Sequence, residues 1–530
     1  MPHPRPTLLA AFLTATCLIT AVARPAAAQD ASRPPNIVFI FSDDLTRQAI
    51  SCYGDSRDLL QTPNMDRIAR DGMRFDRCYV TNSICGPSRA TVLTGKYSHL
   101  NGFFNNTNSV FDGSQSTFPK KLQKAGYQTA VVGKWHLGSD PTGFDYWHIL
   151  PGQGHYYNPI MIEQGRKHEV PGYVTDIITE QSIGYLERRD RDKPFVLMMQ
   201  HKAPHREWEP ALRHLGWNED RDFAEPESLA DDFAGRSKAV SDHDMGLMST
   251  MNDRDLKLVP PARLTPQQRE KWDAYYDPRN AAKRNKQMSP REELGWRYQR
   301  YMHDYLACVK AVDESVGTML KYLDDNGLAE NTIVVCTSDQ GFYLGEHGWF
   351  DKRWIFEESA STPLMIRWPG HTPAGSVCEE IVSLMDFAPT FCQVANADPV
   401  ENMQGQSMVP LLNGHTPADW RQSLYYHYYE YPVPHRVRPH YGLITKQHKL
   451  VRYYGPDVDD WELLDRQANP AETQDFYDDP AYAEVRQKLL AELAQKKAEA
   501  LDAAAPPRAA YGKQQLEGDE EQMLRNAAGG

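Results

Sequence analysis

No two cysteines in this chain stand in a CxxC spacing, no long basic run occurs, and no internal repeat is visible. Beyond the N-terminal segment there is no apolar stretch long enough to cross a membrane. Each absence excludes something. Without CxxC pairs, zinc held by thiolates has no scaffold. A formal net charge of -13 with no cluster of Lys and Arg excludes a nucleic-acid partner, because phosphate backbones are bound by concentrated cations. The same charge does not exclude a small anionic substrate. It requires that any anion site be built locally, from a few cations or a metal. Lacking a long apolar segment, the mature chain makes no stable membrane insertion.

What is present is a chain of 530 residues, 41% hydrophobic and 24% charged. That suits a folded globular protein with one large domain and an appendage, or two ordinary domains. Arg5 precedes an apolar run from Leu8 to Val22, and Ala26-Ala27-Ala28 offers a small-x-small cleavage site before Gln29. This reads as a signal peptide over residues 1–28 and an exported protein, periplasmic or secreted. Thr14-Ala15-Thr16 is a poor lipoprotein box, so Cys17 leaves with the signal. Cys378 and Cys392 offer one pair in an oxidising compartment, although sequence does not fix connectivity. Cys336, inside an apolar run, reads as a buried thiol.

Four short apolar runs suit strands buried on both faces of a parallel sheet: 36–41, 129–132, 195–199 and 332–336. Each empties into ionisable residues: Asp43-Asp44, Lys134 and His136, His201 and His205, Asp339-Gln340. In open α/β sheets ligands sit outside the carboxyl ends of strands, so these four ends are expected to converge on one site. Ser289-Pro290 opens a long helix to about Tyr322, with Tyr301, Tyr305, Val309, Val312, Val316 and Leu320 as its buried stripe and Gly327 as its stop. Residues 206–289, rich in charge and holding Pro260-Pro261, read as an insertion crossing the surface with only short helical pieces. After Leu412 the texture changes. A Tyr-crowded segment, strands near 441–445, 448–452 and 461–464, and a helix over about 480–500 suggest a smaller α+β subdomain over 416–502, before a loose tail at 503–530.

Cys85-Gly86-Pro87-Ser88-Arg89 followed by Leu93-Thr94-Gly95 resembles the signature of the type I (formylglycine-dependent) sulfatase family, C-x-P-S-R then L-T-G. Tyr127 through Gly133-Lys134-Trp135-His136 resembles that family's second signature. Asp43-Asp44 and Asp339-Gln340 match its two metal-binding pairs, and Pro204-His205 and Lys352 match two further active-site positions. The resemblance spans roughly residues 35 to 480. It implies an alkaline-phosphatase-like α/β fold, a large mixed sheet sandwiched by helices, with a catalytic domain over 29–415.

The resemblance also implies a chemistry. A separate maturation enzyme would oxidise Cys85 to formylglycine, recognising Pro87, Ser88 and Arg89. One hydroxyl of the hydrated aldehyde would attack sulfur and expel the alcohol, and the other would collapse the adduct and release sulfate. Asp43, Asp44, Asp339 and Gln340, with the modified Cys85, would bind calcium, which suits an oxygen-only set. Arg89 and Lys134 would meet the sulfate, His136 would be the base that opens the adduct, and His205 or Lys352 the general acid. His201 is the weaker candidate, structural or at the substrate rim. His347 and Arg353 would line the pocket beyond sulfur or hold their loop. The run from Gly341 to Arg353 looks like bacterial sulfatases of glycosaminoglycans and mucins, especially the N-acetylglucosamine-6-sulfatase-like branch. The cluster Tyr425–Tyr431 with His435, Arg436, Arg438 and His440 offers weak support for a saccharide. Iduronate-2-sulfatase-like activity, a phosphate or phosphonate ester hydrolase on the same fold, and a catalytically dead glycan binder are the alternatives. Oligomeric state is not legible.

Overall fold

The computed structural model describes residues 1–3, 34–455 and 457–502. The expected leader, apart from residues 1–3, and the expected tail at 503–530 lie outside the described residues. The chain divides after Arg33, and the architecture below belongs to the part from Pro34 onward.

Ten strands form one mixed sheet: β1 (Asn36–Asp43), β2 (Met73–Phe75), β3 (Gln128–Lys134), β4 (Tyr146–Leu150), β5 (Ile160–Glu163), β6 (Arg166–Glu169), β7 (Phe195–Pro204), β8 (Thr332–Ser338), β9 (Leu364–Arg367) and β10 (Ser376–Cys378). Their spatial order is β10-β2-β9-β8-β1-β7-β3-β4-β5-β6. The four apolar runs of the sequence are therefore four adjacent strands, β8-β1-β7-β3, all parallel. Their carboxyl ends must lie side by side. Every residue of β1, β7 and β8 is buried, which explains why they read as continuous apolar runs and not as alternating ones. Antiparallel strands enter only outside them: β9 against β8, and the β5–β6 hairpin beyond β4.

Side chains of β1 alternate between two cores. Ile37, Phe39 and Phe41 enter one, shared with Ala90 and Val92 of helix α1 (Cys85–Thr94). Val38 and Ile40 enter the other, with helix α2 (Val174–Arg188) and the long helix that follows residue 289. Helix α3 (Pro266–Arg284) precedes that helix, α4 (Pro290–Asp325). Ser289 caps α4 in a capping box with Glu292, all six expected stripe residues are buried, and Gly327 follows its end with φ of 66°.

The segment 206–289 corrects the expectation. It is not a surface crossing of short pieces, because α3 runs 19 residues and buries Trp272, Tyr276 and Asn280 at helical spacing. Tyr276 Oη donates to Asp304 of α4 at 2.6 Å, and Trp208, Phe223, Met245 and Leu247 are buried as well. Thr265 and Gln268 form a capping box that marks the start of α3, a signal present in the sequence.

Beyond the large sheet, β11 (Ser423–Tyr428), β12 (His440–Thr445), β13 (His448–Tyr454) and β14 (Asp459–Asp465) form an antiparallel sheet in chain order, with helix α5 (Ala483–Glu499) against it. The cysteines from Cys52 to Cys392 are all free thiols, so the pairing of Cys378 with Cys392 does not form, and Cys336 is fully buried.

Candidate active site

At the end of β1, Asp43 is followed by Asp44 with φ of 66°, a left-handed turn that Asp tolerates better than most residues. Both are fully buried. The backbone N–H of Asp44 donates to Asp339 Oδ1 at 3.1 Å, and that of Leu45 to Ser338 Oγ at 2.9 Å, which ties the ends of β1 and β8 together. Gly341 follows Gln340, and a Cβ there would lie 2.1 Å from the carbonyl oxygen of Glu358, so the close approach needs glycine. Lys134 ends β3. Before it, Gly133 has φ of 107° and an added Cβ would lie 1.9 Å from the carbonyl oxygen of Gln200 on β7. Cys85 opens α1, whose ten residues are all buried, and the next N–H, of Gly86, donates to Asn106 Oδ1 at 2.9 Å.

These positions meet. Single carboxylate oxygens of Asp43, Asp44 and Asp339 lie within 4.8 Å of one another, and ligand atoms of Asp43, Cys85 and His205 do the same. Gln340 Nε2 donates to Asp44 at 2.5 Å and stands 3.8 Å from Cys85 Sγ. Arg89 Nε and Nη2 donate to Asp339 at 3.1 and 2.9 Å, and its Nη1 donates to the carbonyl oxygen of Lys134 at 2.6 Å and to Gln200 Oε1 at 3.0 Å. Lys134 Nζ pairs with Asp43 and donates to Gln153 Oε1 at 2.5 Å. Lys352 Nζ donates to Asp44 at 2.7 Å, and His205 Nε2 lies 3.8 Å from Asp44. His136 joins through its electrostatics only. Lys134, Asp43, Arg89 and Lys352 act on its ring, while its buried Nδ1 has no hydrogen-bond partner.

Burial would raise all three carboxyls, but their charged neighbours separate them. On Asp43, the cations Lys134 and Arg89 outweigh burial and hold the carboxyl well below the usual range. On Asp44 burial prevails over Lys352 and pushes it up to about 6. On Asp339 burial and the charge of Asp43 overcome Arg89 and push it far up. Burial, then Asp43, also drives the Cys85 thiol far above its ordinary value, and a thiol held protonated is a poor nucleophile. Burial, then Lys134, keeps both His136 and His205 neutral, the form that accepts a proton.

Two oxygens in this cluster, Asp43 Oδ1 and Gln340 Oε1, are buried with no hydrogen-bond partner. Orphaned oxygens among crowded carboxylates are what a hard divalent cation satisfies, and a donor set of oxygens alone fits calcium.

Other candidates fall outside the cluster. His201 faces the opposite layer, its Nε2 3.1 Å from Ser315 Oγ of α4, and burial pushes it down to about 3. His347 Nδ1 meets Asp231 at 2.8 Å, and Arg353 pairs with Glu430 and Asp351, so both hold loops together. The Tyr and His cluster of the small sheet is mostly packing. Tyr425, Tyr426, Tyr428, Tyr429 and His440 are buried, Arg438 pairs with Asp242 and Asp457, and Arg436 with Asp242. Sequence reasoning missed Asn106, Gln153 and Gln200, which hold Gly86, Lys134 and Arg89. Only Gln200, directly after the apolar run 195–199, carried a local signal.

Residues 35–397 match the family described as sulfatase, and residues 345–499 match that described as N-sulphoglucosamine sulphohydrolase, C-terminal. The chain is 48% identical over 483 residues to an N-acetylglucosamine-6-O-sulfatase of Bacteroides thetaiotaomicron, covering 87% of this chain and 86% of that relative. It is 27% identical over 430 residues to an N-acetylglucosamine-6-sulfatase of Capra hircus, covering 75% of this chain and 67% of that one. A solved structure described as bound to its substrate D-glucosamine-2-N,6-O-disulfate superposes with a TM-score of 0.87 at 47% identity, covering 89% of this chain and 99% of the other. A phosphonate monoester hydrolase of Agrobacterium radiobacter shares the fold at 20% identity, with a TM-score of 0.67 over 88% of this chain and 96% of the other.

Proposed function

The chain belongs to the sulfatase family and is a sulfuric ester hydrolase, and from that premise we propose that it removes the 6-O-sulfate of a glucosamine residue in a sulfated glycan, a glycosaminoglycan or mucin. The observation that carries the reaction is the meeting of Cys85 with three buried carboxylates, Gln340 and the cations Arg89, Lys134 and Lys352 at one sheet end. The substrate reading is supported by the 48% identity to a named 6-O-sulfatase.

Converted to formylglycine, the Cys85 side chain would supply, as its hydrate, one hydroxyl to attack sulfur and a second whose deprotonation releases sulfate. Asp43, Asp44, Asp339, Gln340 and the converted Cys85 would hold calcium, which supplies positive charge beside the nucleophile and the sulfate. Arg89, oriented by Asp339 and Gln200, and Lys134, oriented by Gln153, present charge to the sulfuryl oxygens. Neutral His136 takes the proton that frees sulfate. His205 and Lys352, both on Asp44, face the leaving oxygen, one as general acid. Export through residues 1–28, maturation by a separate formylglycine-generating enzyme, and a division into a catalytic domain (29–415), a C-terminal subdomain (416–502) and a tail (503–530) belong to the same proposal. Among the described residues no helix is long and apolar enough to cross a membrane.

Mass spectrometry of the peptide over residues 74–96, paired with desulfation of a glycosaminoglycan panel and a phosphate-ester comparator, tests this. Formylglycine at Cys85 and release of 6-O-sulfate are expected. An unmodified cysteine in active protein would remove the nucleophile, and preferred turnover of phosphate esters would overturn the substrate.

A further inference from the structure

β7 brings one more cation toward this corner. Lys202 lies in the irregular end of β7 between Gln200 and Pro204, and the backbone N–H of His205 donates to its carbonyl oxygen at 3.0 Å. Its side chain is buried, with the residue 4% exposed. Yet its ammonium has no ion pair and no hydrogen bond among the described residues. What it meets is the face of Tyr156, with Nζ 4.8 Å from the ring centroid. Tyr156 Oη donates to the carbonyl oxygen of His205 at 2.6 Å, so that ring is tied to a group of the reaction centre.

The cations of the centre each have a carboxylate within ion-pair distance: Arg89 has Asp339, Lys134 has Asp43 and Lys352 has Asp44. Lys202 has none among the described residues. Lys134 is the strongest charge acting on it, followed by Asp43, Glu209 and Glu207, and burial with Lys134 brings its ammonium down to about 8. Glu207 is engaged by Arg254 at 3.6 Å, and no carboxylate of the described residues comes within ion-pair distance of Nζ. An ammonium on a buried stem with no carboxylate partner is free to meet an incoming anion, and the cation–π contact offsets only part of its lost hydration.

We propose that Lys202 is a positioning residue that receives a second anionic group of the substrate, an N-sulfo or carboxylate group carried by the same saccharide as the ester that is cleaved. This rests on the sulfated-glycan reading above. The second anion anchors the sugar and fixes which ester reaches Cys85, so its effect belongs in KM more than in kcat.

The test compares mature wild type, Lys202→Met and Lys202→Arg on three sugars: glucosamine 2-N,6-O-disulfate, N-acetylglucosamine 6-sulfate, and a uronate-linked N-acetylglucosamine 6-sulfate disaccharide. Lys202→Gln replaces the Met variant if melting curves show the latter unfolded. The expected result is a fall of about tenfold in the kcat/KM preference for a doubly anionic sugar over the singly anionic one, carried by KM and largely restored by Arg. Loss confined to the disulfate assigns an N-sulfo partner, and loss confined to the uronate disaccharide a carboxylate. A preference unchanged in the folded variants, or an equal loss on all three sugars, overturns the proposal. If wild type turns over none of the sugars, the glycan reading fails instead. Calorimetric titration of the same sugars then reads Lys202 directly, and equal affinities in wild type and variant sink it.

Discussion

The carboxyl end of the large sheet and the face of the small sheet are built from the same residue types and treat them in opposite ways. At the large sheet, three carboxylates crowd within 4.8 Å, their proton affinities are driven apart, and two oxygens are left without partners. At the small sheet, charges close locally. Arg236 meets both oxygens of Glu462 at 2.9 and 2.8 Å, Tyr453 Oη donates to the same carboxylate at 2.8 Å, and Arg438 bridges Asp242 and Asp457. The lesson is that residue type says little by itself. A buried charge that is fully matched holds the fold, and one left in surplus or in conflict is available to a ligand.

Substitutions in the two regions are expected to act in opposite ways. Cys85→Ala is expected to cut kcat/KM by about 10^4-fold or more, since groups that act as a unit fail together, while the melting temperature stays near that of wild type. Substantial remaining turnover would rule out Cys85 as the source of the nucleophile. Arg236→Ala should do the reverse, lowering stability in denaturant titrations by about 3–5 kcal/mol because Glu462 is left buried and unpaired, with kcat of the folded fraction unchanged. A changed kcat would mean the two regions are not separate.

His201 sharpens the contrast through pH. Burial holds its folded value near 3, below the ordinary 6.5, so its contribution is complete above about pH 6.5 and is lost as pH falls toward 3. Between pH 7 and 5 this one group should cost about 2 kcal/mol, and His201→Gln should flatten that slope with activity at pH 7 retained. An unaltered slope would show that His201 is not buried neutral. The smallest effect is expected at the rim of the small sheet. Arg452 and Asp459 pair at 2.9 Å but are 35% and 65% exposed, so Arg452→Ala should cost about 0–1 kcal/mol by thermal melting.

The four central strands were legible because burial on both faces removes alternation, leaving apolar runs that end at chemistry. The β5–β6 hairpin was not: Arg166-Lys167-His168-Glu169 is a charged edge strand specified by pairing with Ile160–Glu163 and not by its own side chains. Helix α3 was hidden because three buried residues in nineteen leave a faint stripe, and Pro278 inside it argues against a helix. Within the site, motif residues could be picked out one by one, whereas Asn106, Gln153 and Gln200 act through neighbours that only topology supplies. The Tyr-rich segment shows the limit of composition. Stacked rings such as His427 on Tyr429, with centroids 3.8 Å apart, read in sequence like a sugar platform and are in the fold a packed layer.

Gly133 carries a consequence of its own. It touches no substrate atom in any role assigned above, yet a single added methyl group would collide with β7 and displace the lysine next to it. A mutational scan scored by turnover alone would rank Gly133 with the catalytic residues, and a scan scored by folding would rank it with the core. The spacing between two strands is here a setting on the enzyme, fixed by the smallest side chain available.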